Sequence, residues 1–282
     1  MTKSPTRPQQ RRAPQTFCLH SAHLAWLVLL TLAMVARSPL RAQAVGGAQQ
    51  SAWYMYFGDH PITTNWTAHM EGQFRREGWG ERGEQLLIRP AIDRKIGRGW
   101  NAMLGYGYVR NYLAEGGMYA SPVASGPQPE HRIFQELRWK HNLIGSGPKA
   151  VTLVHRMRAE ERFNGTAVVG QGTVGWSYSE RARYRLTASV PLRWNTAGIR
   201  PDSVTVYDEV LMNFGPHGTS RVLNQNRAYG ALAWGLTKTS RLEVGYMHQY
   251  TPVPSGVVDV HNNTFQVSIF SVLPLKKIFG RN

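Results

Sequence analysis

Residues 179–194 read SERARYRLTASVPLRW. Every second position is apolar through Ala182, Tyr184, Leu186, Ala188, Val190, Leu192 and Trp194, and the positions that alternate with them include Arg181, Arg183, Arg185, Thr187, Ser189 and Arg193. A period of two is the signature of a strand with two unlike faces, because successive side chains leave a pleated backbone in opposite directions. A helix would scatter these arginines around its whole circumference.

The same pattern recurs on both sides. In AVTLVHRMRAEERF, residues 150–163, the face Val151, Leu153, His155, Met157 and Ala159 opposes Thr152, Val154, Arg156, Arg158, Glu160 and Arg162. In WNAMLGYGYVRNYL, residues 100–113, Trp100, Ala102, Leu104, Tyr106 and Tyr108 oppose Asn101, Met103, Gly105, Gly107, Val109 and Asn111. Further runs of this kind are 65–76, 84–96, 131–142, 203–214, 226–237, 241–250 and 262–272, with a shorter one at 53–58. Eleven are countable. Single-chain bacterial barrels have an even number of strands with both termini on one side, so the pattern predicts ten strands, with the 53–58 segment as an extra piece, or alternatively twelve. Short links at 97–99, 144–149, 195–201 and 238–240 alternate with longer ones at 114–129, 164–178, 215–225 and 252–261, as turns and loops of an up-and-down barrel do. The 238–240 link, between two well-patterned runs, carries the best hairpin signal. Trp66, Trp100, Trp139, Trp194 and Tyr250 fall near strand ends, where amphipathic rings suit a membrane interface.

The first 44 residues are built differently. Arg11 and Arg12 precede a 13-residue apolar stretch, LAWLVLLTLAMVA at 24–36, and Ala42 and Ala44 stand where a signal peptidase reads small residues. That stretch is too short to span a hydrocarbon core of about 30 Å as a helix. Residues 1–44 are therefore expected to be a signal peptide and residues 45–282 the barrel domain. Cys18, the sole cysteine, lies in the segment to be removed, so thiol catalysis, disulfides and cysteine metal sites are excluded from the mature chain. Of 33 Lys and Arg against 17 Asp and Glu, six basic residues and no acid leave with residues 1–44, so the remainder keeps a net charge of +10.

Those charges share the strand face opposite the apolar one: Glu71, Arg75, Arg89, Asp93, Arg132, Glu136, Arg138, Arg156, Arg158, Glu160, Arg162, Arg181, Arg183, Arg185, Glu209, Arg227 and Glu243. An Arg facing lipid near the bilayer midplane costs about 2 to 4 kcal/mol, which puts the set inside. A lumen-filling network of Arg–carboxylate pairs accounts for it, since guanidinium forks match carboxylates two bonds at a time. A selectivity lining or a site for an anionic small solute is the functional alternative, because Arg outnumbers the acids. Gly105 and Gly107 lack the strand-to-helix context of a nucleotide loop and fit a crowded interior. No HExxH or GxSxG motif is present, no catalytic residue, metal or cofactor is expected, and nucleic acid is not an expected partner. A rim enzyme acting on lipid or envelope polymer stays open as the rival class.

Several stretches together resemble a bacterial family of outer-membrane barrels, domain of unknown function 2490: Trp53 with Phe57-Gly58, Gln73 and Arg75, LLIRP ending in Arg89-Pro90, GYGYVR at 105–110, EHRIFQEL at 130–137, HRMRAEERF at 155–163, RYRL at 183–186, YDEVLMNF at 207–214, NQNRAYGAL at 224–232 and LEVGYMHQY at 242–250. The resemblance implies an antiparallel up-and-down transmembrane β-barrel in the cell outer membrane, with outer-membrane lipid and the barrel assembly machinery as partners, and implies no activity. The stretch GTAVVGQGTVG at 165–175 is longer than the family pattern and is either a loop or an additional strand.

Overall fold

The computed structural model describes residues 49–112, 126–192, 199–215, 222–252 and 259–274. The expected signal peptide and Trp194 lie outside the described residues. Eleven strands follow in chain order: β1 (Gln49–Pro61), β2 (Trp66–Glu77), β3 (Arg82–Gly97), β4 (Trp100–Asn111), β5 (Gln128–Ile144), β6 (Val151–Val168), β7 (Gly172–Pro191), β8 (Ser203–Phe214), β9 (Leu223–Gly235), β10 (Ser240–Thr251) and β11 (Val260–Ser271). Each alternating run of the sequence became one of them. Sequential neighbours pair antiparallel, and β1 pairs with β11 to close the sheet into a barrel. Closure leaves no edge with unpaired backbone groups.

The expectation of ten strands is corrected to eleven. The segment around Trp53 is a full wall strand, and β1 runs parallel to β11 from Gln49↔Asn262 to Gly58↔Ser271. A closing pair that is parallel requires an odd count, so the start of β1 and the end of β11 lie on opposite rims. The rim where β1 begins is called here the Gln49 rim and the other the Pro61 rim.

The 164–178 stretch is not a loop and holds no extra strand. It lengthens β6 and β7 into a hairpin closed by a three-residue turn at 169–171, with pairing down to Val168↔Gly172. The shortest link, Arg98-Gly99 between β3 and β4, has both residues at positive φ (52° and 84°), the requirement of the two-residue hairpin turn whose twist matches its strands. The 238–240 signal was sound: Leu236 N–H and Thr237 N–H both donate to the Ser240 carbonyl, at 2.9 and 3.2 Å.

The wall is inside out relative to a soluble barrel. Tyr54, Phe74, Ile88, Leu104, Ile133, Met157, Tyr184, Tyr246 and Ile269 point outward and are exposed, while Glu71, Arg89, Glu136, Arg158, Glu160, Arg183 and Glu209 point inward and are buried. Leu104 is 54% exposed and Glu160 is 1% exposed, so hydropathy and burial run in opposite senses. Gly105 and Gly107 face the interior as expected. A Cβ at Gly105 would overlap the Phe134 ring and approach Ala91 Cβ to 2.7 Å, and one at Gly107 would sit 3.0 Å from Arg89 Cγ. Gly72 is on the outward face of β2 and a Cβ there meets nothing within 4 Å.

This contrast yields a paired prediction. Gly105→Val should cost about 1 to 3 kcal/mol through overpacking against Phe134 and lower the unfolding temperature in detergent, whereas Gly72→Val should leave it unchanged within error. Equal effects of the two substitutions in thermal unfolding would contradict the assigned faces.

Candidate functional site

The inward face of β5 to β8 carries the densest chemistry. Strand register sets Arg158 directly opposite Arg183 and Arg156 directly opposite Arg185. Four guanidiniums therefore meet across one strand pair, an arrangement that is destabilising by itself. Carboxylates from the flanking strands offset it: Glu136 on β5 is opposite Arg158, and Glu209 on β8 is opposite Arg185.

The resulting pairs close on themselves. Arg158 Nε and Nη2 both donate to Glu136 Oε2 at 2.6 Å, and its Nη1 lies 3.7 Å from Glu160 Oε1. Glu160 accepts from Arg183 Nη1 at 2.8 Å, and Arg183 Nη2 reaches both oxygens of Glu209 at 2.9 Å. Glu209 accepts a short bond from Arg156, whose Nε is 3.8 Å from Glu136 Oε2. Three acids and three arginines thus alternate around a ring. Arg181 adds to Glu160 with Nε at 3.0 Å and Nη2 at 2.6 Å, and Arg227 Nη1 to Glu209 at 3.5 Å.

The other residues expected in the lumen also face inward, in smaller groups. Arg89 pairs with Glu71 at 2.9 Å, and Gln73 donates to Glu71. Arg138 bridges Asp93 at 2.7 Å and Glu136 at 3.3 Å, with Asn101 also on Asp93 at 2.8 Å. Arg132 grips both oxygens of Glu130 at 2.7 and 2.8 Å, and Arg162 reaches the same acid at 2.5 Å. Glu243 takes Arg241 at 2.5 Å and the Tyr229 hydroxyl at 3.0 Å. Arg75 donates to Gln73 and stacks 3.6 Å from the Trp53 ring. Arg185 rests 4.8 Å from the Tyr207 ring. Among the described residues all buried cations are arginine; Lys95, Lys140, Lys149 and Lys238 are exposed. A guanidinium is less strongly hydrated than an ammonium and presents five donors in a rigid fork, which suits it to enclosed pairing.

Sequence reasoning missed three acids. Glu130 shares the face of Arg132, but the alternating run read from sequence starts at His131, whereas β5 starts at Gln128. Glu84 should point outward by alternation from Arg89, yet it is wholly buried and accepts from Trp53 Nε1 at 3.0 Å. The register shifts there, with Arg75 opposite Gln85 and Arg76 opposite Gly83, and the extra residue of a bulge turns its side chain inside. Glu77, also buried, lies at the end of β2. The apolar sector was missed as well: Trp53, Met55, Tyr229, Ala231 and Met247 on β1, β9 and β10 form a buried cluster inside the barrel, with Tyr207 and Tyr229 stacked at 4.6 Å. Alternation puts Tyr229 on the face of Arg227 and Met247 on that of Glu243, but it carries no sign that these side chains meet across strands.

Neutral amides complete the Gln49 half. Gln225 donates to Thr251 at 2.9 Å, Gln249 to Thr264 at 2.9 Å and Asn262 to Ser51 at 3.0 Å. Among the described residues no group of three or more His, Cys, Asp or Glu could hold a metal ion.

Comparison with known proteins identifies one family: the description "Protein of unknown function (DUF2490)" matches residues 50–261, from the start of β1 to the start of β11. An uncharacterized protein of Methylorubrum extorquens is 27% identical over 168 residues, which are 59% of this chain and 63% of that protein. The chain thus spans less than two thirds of that relative's length. No solved structure matches.

The ring makes a quantitative prediction. Arg158→Ala should destabilise the folded barrel by about 3 kcal/mol, because breaking a buried pair strands the charge it leaves behind; Arg158→Lys should recover only part, since an ammonium is a point charge and not a fork. Thermal unfolding in detergent measures both, and an unchanged profile for Arg158→Ala would mean that the side chain faces bulk water.

Proposed function

The chain belongs to the family of proteins of unknown function DUF2490, and from that premise we propose that it is an integral β-barrel of the bacterial outer membrane whose lumen is held shut by Arg–carboxylate pairing, with a structural role and no catalytic one. The observation that carries this reading is the inversion of hydropathy across the wall. Exposed Tyr, Phe, Ile, Leu and Met side chains ring the outside of the strands, a surface that water tolerates poorly and acyl chains solvate. Backbone pairing round the closed sheet satisfies the peptide groups that lipid cannot.

Aromatic side chains support the same placement. Trp100 and Trp139 stack at 5.6 Å on the outer face near the Pro61 rim, joined by His155 at 5.1 Å from Trp139. Tyr106, Tyr108, Trp176 and Tyr250 are outward near the Gln49 rim around His131 and His261. Two such girdles flanking an apolar band are the usual dress of outer-membrane barrels. Outer-membrane lipid and the barrel assembly machinery are then the partners this reading requires.

A shut lumen separates this proposal from a pore. The inward side chains of the Gln49 half, Ser51, Glu84, Gln85, Glu130, Glu160, Gln249 and Asn262 among them, are buried against one another. The rival class, a barrel enzyme acting on lipid or envelope polymer, has no comparable observation behind it.

The test has two steps. Unboiled protein should migrate differently from boiled protein on a gel and fractionate with detergent-extracted outer membrane; recovery of processed protein in the aqueous periplasm without detergent would sink the proposal. Reconstituted in planar bilayers it should then give no steady conductance above the lipid baseline, and stable open channels would replace the structural role with passage.

A further inference from the structure

The ring is short of acids. Arg156, Arg158, Arg181, Arg183 and Arg227 share Glu136, Glu160 and Glu209, and Arg185 adds a sixth cation. Although Arg185 is opposite Glu209 in register, that acid's oxygens are taken by Arg156, Arg183 and Arg227. Among the described residues no carboxylate lies within ion-pair distance of Arg185, and its buried Nε has no hydrogen-bond partner. Arg156, directly across the strand pair, also has a buried Nε without a hydrogen bond.

Two adjacent guanidiniums with donors to spare, in an enclosure that already holds more positive than negative groups, form half of an anion site. The Tyr207 ring under Arg185 fixes the plane of the fork. Along β6, β7 and β8 toward the Pro61 rim the inward residues include Thr152, Val154, Thr187, Ser189 and Thr205: Thr152, Val154, Thr187 and Ser189 are only half-buried, and Thr205, opposite Ser189, has a buried hydroxyl without a hydrogen-bond partner. The interior is thus filled on its Gln49 side and less crowded along β6 and β7 toward the Pro61 rim.

We propose that Arg185 and Arg156 bind a small oxyanion of the phosphate class inside the barrel, admitted past Thr187 and Ser189 from the Pro61 rim. The inference rests on the barrel reading above and adds a ligand class to it. Flat guanidinium forks match the oxygens of an oxyanion two bonds at a time, which a spherical halide cannot use. The anion also relieves the repulsion between directly opposite arginines.

Inorganic phosphate is the probe, added to folded, heat-modifiable protein in zwitterionic detergent against chloride at matched ionic strength. Phosphate at roughly a hundredfold excess over its Kd should raise the unfolding temperature by about 5 to 10 °C, saturably, and equilibrium dialysis should find one phosphate per chain. Arg185→Gln should abolish both effects. Because it removes a cation with no acid of its own, it should fold at least as stably as the parent in phosphate-free buffer. Thr187→Trp, which narrows the approach and leaves both arginines in place, should also lose phosphate uptake, and it decides the matter if Arg185→Gln fails to fold. Equal shifts from phosphate and chloride, no bound phosphate, or full binding by a folded variant would each overturn the site while leaving the barrel intact; a parent protein that is not heat-modifiable would instead count against the barrel reading itself.

Discussion

Everything in this molecule is arranged around the cost of enclosing guanidinium groups. A cation removed from water loses several kcal/mol of hydration, and only close pairing returns it. The described strands enclose a dozen inward arginines, and the architecture answers with acids from neighbouring strands at the right height. Glu136 and Glu209 flank the Arg156, Arg158, Arg183 and Arg185 block from β5 and β8, and Glu160 lies within it on β6. Slipping any of these strands by one residue would send its charges outward and its aliphatic residues inward. The pairing therefore fixes register as much as it lowers energy, and register in turn fixes closure.

The lumen is divided into sectors with different ways of being full. On β5 to β8 ion pairs occupy the section. On β1, β9 and β10 Trp53, Met55, Tyr229 and Met247 do so. Arginines join the two, since Arg75 and Arg227 lie 3.6 and 5.4 Å from the Trp53 ring and Arg158 lies 4.4 Å from Phe134. Such cation–π contacts strengthen where water is excluded. The aromatic cluster inside the barrel supplies a weakly polar surface for guanidinium faces whose edges are committed to amides and carboxylates, as Arg75 is to Gln73 and Arg227 to Gln225 and Glu209.

The parallel closure has its own consequence. With eleven strands, β1 must meet β11 head to head with matching direction, and the evenly spaced, slanted bonds of a parallel pair are slightly weaker per residue than antiparallel ones. Inside the seam, Asn262 bonds Ser51 across the two strands at 3.0 Å, and at its far end Phe57 and Phe270 stack at 4.9 Å. Side chains thus reinforce the one junction where no hairpin tethers the neighbours.

Strand positions, facing and the charged interior were legible because alternation is a local property: each residue's face follows from its neighbour's, and Arg181, Arg183 and Arg185 could share only one. The number of strands in the wall is in the count of eleven alternating runs, yet the even-number rule of single-chain bacterial barrels points to ten or twelve, and sequence carries no sign of whether the last strand meets the first parallel or antiparallel. That is decided when the sheet curls and its two edges find a common register. The bulge that turns Glu84 inward, the acid that each arginine reaches, and the isolation of Arg185 beside a fully engaged Glu209 are likewise products of closure. Sequence determined which side chains share a face; only the folded wall determined which of them meet, because partners on different strands are brought to one height by the pairing of backbones that carry no side-chain information.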